Sequence, residues 1–126
     1  MTPGEIADIY LRYYEDRREE DAWAIEKADV SCNRDIEEAL EITLILINKA
    51  KSNEALAYVA AGPLENLLTM HGPAVIDRIE KESLMSDRLL LALSGVWGLE
   101  PGNPIFERWY AIMWKSGFAD GRREPL

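Results

Sequence analysis

Four side chains near the middle of the chain are the only set whose types and spacing suit acid–base chemistry: Glu65, His71, Asp77 and Glu80. An imidazole and a carboxylate about two helical turns apart can exchange a proton if their elements bring them together. This makes Glu65, His71 and Glu80 an alternative ligand or catalytic site. The competing reading is structural. Glu65 follows Pro63 in a first helical turn, where a carboxylate meets free N–H groups. His71 falls in a last turn, where an imidazole can bond orphan carbonyls. Asp77 and Glu80 have Arg78, Lys81 and Arg88 as nearby partners. The structural reading is preferred, and no residue is assigned as catalytic. One His and one Cys cannot supply a standard zinc site. The chain has no Gly-rich phosphate loop, no HExxH and no GxSxG elbow. The sequence therefore calls for no metal and no cofactor.

The elements that would position these groups read as helices. Thr2-Pro3-Gly4-Glu5 is a capping box that opens a first helix running to about Arg18, with Ile6, Ile9, Tyr10, Tyr13 and Tyr14 at helical spacing. A second helix is predicted over about 21–30, with Trp23 among its residues to bury, followed by a turn at Ser31, Cys32 and Asn33. Asn33 or Asp35 caps a long third helix ending near Lys51. Its run Ile42–Ile47 is apolar on nearly every side, which marks a buried central helix. The segment is too long for a strand. Ser52 caps a fourth helix. Gly62-Pro63 and Gly72-Pro73 each stop one helix and start the next, since Gly ends a helix cheaply and Pro fits the first helical position. Ser86-Asp87 caps a seventh helix reaching Val96 and Trp97. Asn103-Pro104 starts the last, which carries Trp109 and Trp114. Trp97, Trp109 and Trp114 are expected in the packing of these last two helices, with Trp114 the most exposed.

No window shows two-residue alternation bounded by hairpin turns. The predicted fold is all-α, a compact bundle or short superhelix of about seven to eight helices packed as helical hairpins. Three such hairpins span roughly 35–61, 63–84 and 86–116, without residues repeated at fixed offsets. Residues 1–117 are read as a single helical domain and 118–126 as a frayed tail.

Composition narrows the function classes. The chain has 126 residues, 48% of them hydrophobic, enough for a real core. No apolar run approaches the ~20 residues of a membrane span. The N-terminus lacks the basic-then-apolar pattern of a signal peptide. One cysteine excludes an internal disulfide and fits a reducing compartment, so a cytoplasmic location is expected. Net charge is −9. Residues 1–41 hold 13 acidic and five basic residues, while the other 85 are nearly balanced with ten and nine. A field of this sign repels nucleic acid and anionic lipid and attracts basic surfaces. Tyr13 and Trp23 lie among the carboxylates of Glu15, Asp16, Glu19, Glu20 and Asp21, and Tyr and Trp are enriched at binding hot spots. These seven residues form the candidate partner-binding surface.

The segments AAGPLE (60–65), HG (71–72), IE (79–80) and VWG (96–98) resemble a family of small bacterial all-helical domains of unknown function, over about residues 5–115. The resemblance implies a bacterial cytoplasmic helical protein and supplies no catalytic residues. Members of such families are often encoded near toxins or mobile elements, which suits an immunity or antitoxin role. The expected function is therefore a small acidic binding module that masks a basic protein partner, with Glu15, Asp16, Glu19, Glu20 and Asp21 steering association and Tyr13 or Trp23 anchoring it. A small enzyme or ligand-binding domain at Glu65 and His71 is one alternative. A homo-oligomeric scaffold is the other.

Overall fold

The computed structural model describes all 126 residues and contains helices and no strand. In chain order these are α1 (Pro3–Asp16), a 3₁₀ turn (Glu19–Asp21), α2 (Trp23–Arg34), α3 (Ile36–Lys49), α4 (Asn53–Val59), a π-turn (Ala60–Leu64), α5 (Glu65–Ser83), α6 (Asp87–Ser94) and α7 (Phe106–Ser116). Because α4, the π-turn and α5 run on without a break, the chain makes six helical rods, slightly fewer than the sequence suggests. None is long and apolar enough to cross a membrane.

The helix starts follow local capping chemistry. Thr2 and Glu5 form the reciprocal capping box. Asp35, Ser52 and Ser86 each accept from a backbone N–H three residues on and open α3, α4 and α6. Helix ends and joints are less local. α2 runs on through Ser31, Cys32 and Asn33, where the sequence suggests a turn. Ser31 and Cys32 are buried there, and the Ser31 hydroxyl donates to Glu38 at 2.8 Å, tying α2 to the start of α3.

The two Gly-Pro pairs do not separate helices; they bend one rod. Pro63 has no N–H to give the carbonyl four residues back. The turn widens, and the Glu65 N–H donates to the Ala60 carbonyl five residues back. At the second pair the chain kinks at His71, whose φ of −134° and ψ of 26° are not helical. Pro73 leaves the Thr69 carbonyl without its helical donor, and the Asn103 side-chain amide supplies one at 3.3 Å. The hairpin boundary predicted at 61–63 is therefore absent.

The core is one cluster. From α3, Ile42, Leu46 and Ile47 are buried, with Leu44 and Ile45 half-buried, so α3 is the central helix. Leu56, Leu64, Leu67, Leu68, Ile76 and Ile79 join from the long rod. Arg88 donates to the Ile47 and Ala50 carbonyls at the end of α3, where a guanidinium complements the helix dipole. The last residues are docked, contrary to the frayed tail expected. Phe118 is buried under the Arg123 guanidinium, Arg123 makes a two-pronged pair with Asp87, and the Leu126 N–H donates to Ser94. Trp109 packs as expected, its indole N–H donating to the Leu93 carbonyl. Trp97 and Trp114 do not: they are 83% and 53% exposed.

Candidate functional site

The acidic segment folds into a corner between α1 and α2. α1 ends at Arg17, which adopts the left-handed conformation (φ 55°, ψ 32°), and its N–H donates to the Tyr13 carbonyl. A non-glycine residue there is uncommon and strained. What holds it is visible. The Arg17 guanidinium sits 5.5 Å from the ring centroids of Tyr13, Tyr14 and Tyr58 alike. Tyr14 and Tyr58 stack at 4.8 Å, and Tyr10 meets Tyr58 at 6.0 Å. Burial first, then the neighbouring Tyr58 and Asp29, push the Tyr10 phenol above its ordinary value. Tyr13 is accordingly half-buried against Arg17, not a free surface anchor.

Asp21 does not belong to the free acidic surface. It is 3% exposed, and both its oxygens accept from Arg12, at 2.7 and 2.8 Å. This fork pins the 3₁₀ turn back onto α1. The hydrogen bonds from Arg12 hold the Asp21 carboxyl below its ordinary 3.8, against the opposing effect of desolvation. A carboxyl whose pKa is depressed on folding stabilises the fold above its unfolded value and loses that contribution as pH falls through its native value. Asp21→Asn should therefore lower stability at neutral pH and flatten the acid limb of a stability–pH curve below about pH 4. Urea titrations at several pH values check this. An unchanged acid limb would show that the pair contributes nothing.

The remaining carboxylates of the corner stand outward. Glu15, Asp16, Glu19 and Glu20 are all exposed. Glu20 lies 3.9 Å from Arg18, both largely in solvent, and the other three make no ion pair. Glu15 and Asp16 also sit in the last turn of α1 with no basic residue, against the negative end of its dipole. Trp23 opens α2 beside them and is 39% exposed, although the sequence suggests burial. Elsewhere in the segment Asp8 pairs with Lys49 and Glu38 with Lys27. A groove of about 470 Å³ runs next to the corner, lined by Leu11, Tyr14 and Ala55 with charges of both signs. Of its cations, Arg12 and Lys49 are tied to Asp21 and Asp8, which leaves Lys51 unpaired.

The alternative acid–base set is held apart. Glu65 reaches across to the segment after α6, where its Oε1 accepts from Trp97 N at 3.0 Å and from Gly98 N at 2.8 Å. Glu80 and Asp77 both pair with Arg108, at 2.8 and 2.6 Å, not with Arg78, Lys81 or Arg88. His71 does not bond the orphan carbonyls; its Nε2 is buried without a hydrogen-bond partner. The cavity beside Glu80, of about 490 Å³, includes neither His71 nor Glu65. No three His, Cys, Asp or Glu side chains converge to hold a metal ion. Cys32 is buried in α2, and burial followed by the Asp29 charge raises its thiol pKa, the opposite of an activated nucleophile.

The segments of the AAGPLE, HG, IE and VWG pattern thus meet as structural joints. Glu65 clamps Trp97 and Gly98, Gly72 lies against Ile105, and Glu80 holds Arg108. No curated protein and no solved structure matches this chain. A family of unknown function, DUF6869, matches residues 12–117, which is most of the chain and spans all these joints, so the protein belongs to that family.

Proposed function

We propose that this protein is a stoichiometric protein-binding module that masks a basic surface of its partner, in the manner of an immunity protein or antitoxin. The observation that carries this reading is the α1–α2 corner. Four exposed carboxylates flank a turn that is held by Arg17 over three tyrosines and by the Arg12–Asp21 fork, with an exposed tryptophan next to them. Ordering such a turn beforehand lowers the entropic cost of association. Carboxylates at an interface rim act chiefly on the association rate and its salt dependence.

The test begins with capture of a partner from cells of the source organism, using the wild type and the variant Glu15→Lys/Asp16→Lys/Glu19→Lys/Glu20→Lys. These positions are exposed, so the variant should fold. The association rate of the wild type should fall at least about tenfold between about 50 mM and about 500 mM salt. The variant should associate more slowly and show a flat or reversed salt response. A wild-type rate that does not change with salt, or a variant that binds like the wild type, would remove the electrostatic reading.

A further inference from the structure

Trp97 is 83% exposed, yet its backbone is closely held. Its neighbours Val96 and Leu99 are 3% and 6% exposed and anchor the strand of chain on both sides. The carboxylate of Glu65 grips the N–H groups of Trp97 and Gly98. Gly98 permits that approach: a Cβ there would lie 2.8 Å from Glu65 Cδ and Oε2. A residue of α5 and a glycine are thus committed to fixing a tryptophan whose ring stays in water. An indole in solvent adds nothing to the core, whereas a large ring on a preordered backbone is what an interface anchor requires.

The charged groups in the chain next to Trp97 are acidic. The segment that carries Trp97, residues 95–107, contains no Lys or Arg and holds Glu100 three residues on, and the Glu65 carboxylate reaches it from α5. The second strongly exposed tryptophan has the opposite setting. Trp114 precedes Lys115, and its carbonyl accepts from Arg122 at 3.0 Å.

We infer that Trp97 anchors a second docking point, which takes an arginine- or lysine-bearing segment of a protein partner against the indole face and the carboxylates of Glu65 and Glu100. A cation over an indole is attracted by the ring quadrupole, and a long basic side chain also lays its apolar stem on the ring. This inference rests on the reading of the protein as a binding module, but uses a different surface from the Glu15–Glu20 corner.

The test uses the full chain with 5-fluorotryptophan at all four tryptophans, its ¹⁹F resonances assigned by single Trp→Phe variants. An oligo-arginine peptide and an oligo-glutamate peptide of equal length are the probes. Oligo-arginine should move the Trp97 resonance and leave that of Trp114 in place; oligo-glutamate should move neither. Trp97→Ala should weaken oligo-arginine binding by about tenfold or more, a hot-spot loss, without disturbing the fold, since the ring makes no core contact. Glu65→Gln, which keeps an acceptor oxygen but removes the charge, should weaken it less. Equal movement of Trp97 and Trp114, or wild-type affinity in Trp97→Ala, would overturn the inference. A wild-type dimer that Trp97→Ala converts to monomer in sedimentation would also overturn it, by making the occupant a second copy of this chain. The same titration on the corner variant separates the two proposals. If the corner variant loses binding while Trp97→Ala keeps it, only the corner remains. If Trp97→Ala loses binding while the corner variant keeps it, Trp97 stands and the corner falls.

Discussion

Replacing Gly72 by alanine is expected to destabilise the protein by about 1–3 kcal/mol, lowering Tm by roughly 3–5 °C for each kcal/mol in a chain of this size. Helix propensity alone gives the opposite sign, since alanine in a helix interior is favoured over glycine by about 0.5–1 kcal/mol. Packing reverses it. A Cβ on Gly72 would lie 2.5 Å from Ile105 Cγ1 and 3.2 Å from Cγ2, and Ile105 is 3% exposed. The clash falls on a branched, buried side chain just before α7, not on the free end of a flexible one. Relief would have to come from shifting α7 or the kink at His71. Thermal unfolding of the two single variants and the double variant checks this. Ile105→Ala alone should cost about 2–5 kcal/mol. The double variant should cost clearly less than the sum of the two, because the new methyl fills the space that Ile105 leaves. Strict additivity, or a Gly72→Ala variant more stable than the wild type, would mean that the joint is looser than its geometry indicates.

Leu46→Ala should cost about 2–5 kcal/mol. Leu46 is fully buried in the last turn of α3. Leu44→Ala, two residues away on the same helix but half-buried, should cost markedly less. Denaturant midpoints at unchanged m-value measure both. Comparable losses would indicate that α3 is enclosed on every side, as the bare run Ile42–Ile47 suggests. The structure orients it instead, with Leu44 and Ile45 towards the periphery.

The corner site was partly legible in advance. Glu15, Asp16, Glu19 and Glu20 are exposed as their clustering suggests, because a run of charges has no other place to go. Asp21 belongs to the same run and is buried, since the turn after Arg17 swings it onto Arg12 nine residues earlier. The acidic neighbours of Tyr13 suggest a surface anchor, but the left-handed backbone at Arg17 brings a guanidinium over it. Asp21 finds Arg12 nine residues back, beyond any one-turn signal; Arg17 is only four residues from Tyr13, but it reaches the ring through a left-handed backbone that arginine does not favour. The one available hint for Trp97 is the absence of Lys and Arg across 89–107, which becomes informative only once Glu65 is known to meet that segment.

What the sequence determined by itself is whatever one or two helical turns can decide: the all-α class, the caps at Thr2, Asp35, Ser52 and Ser86, the central place of α3 and the acidic first third. Each follows from hydrogen bonds or periodicity between residues three or four apart. Only the tertiary structure decided that Gly62-Pro63 and Gly72-Pro73 bend a rod without ending it, that Glu65 serves a segment 32 residues away, and that Trp97 is left in water. Those outcomes depend on how rods cross. The crossing is set by the shapes of many side chains packed at once, so no short window of sequence contains it.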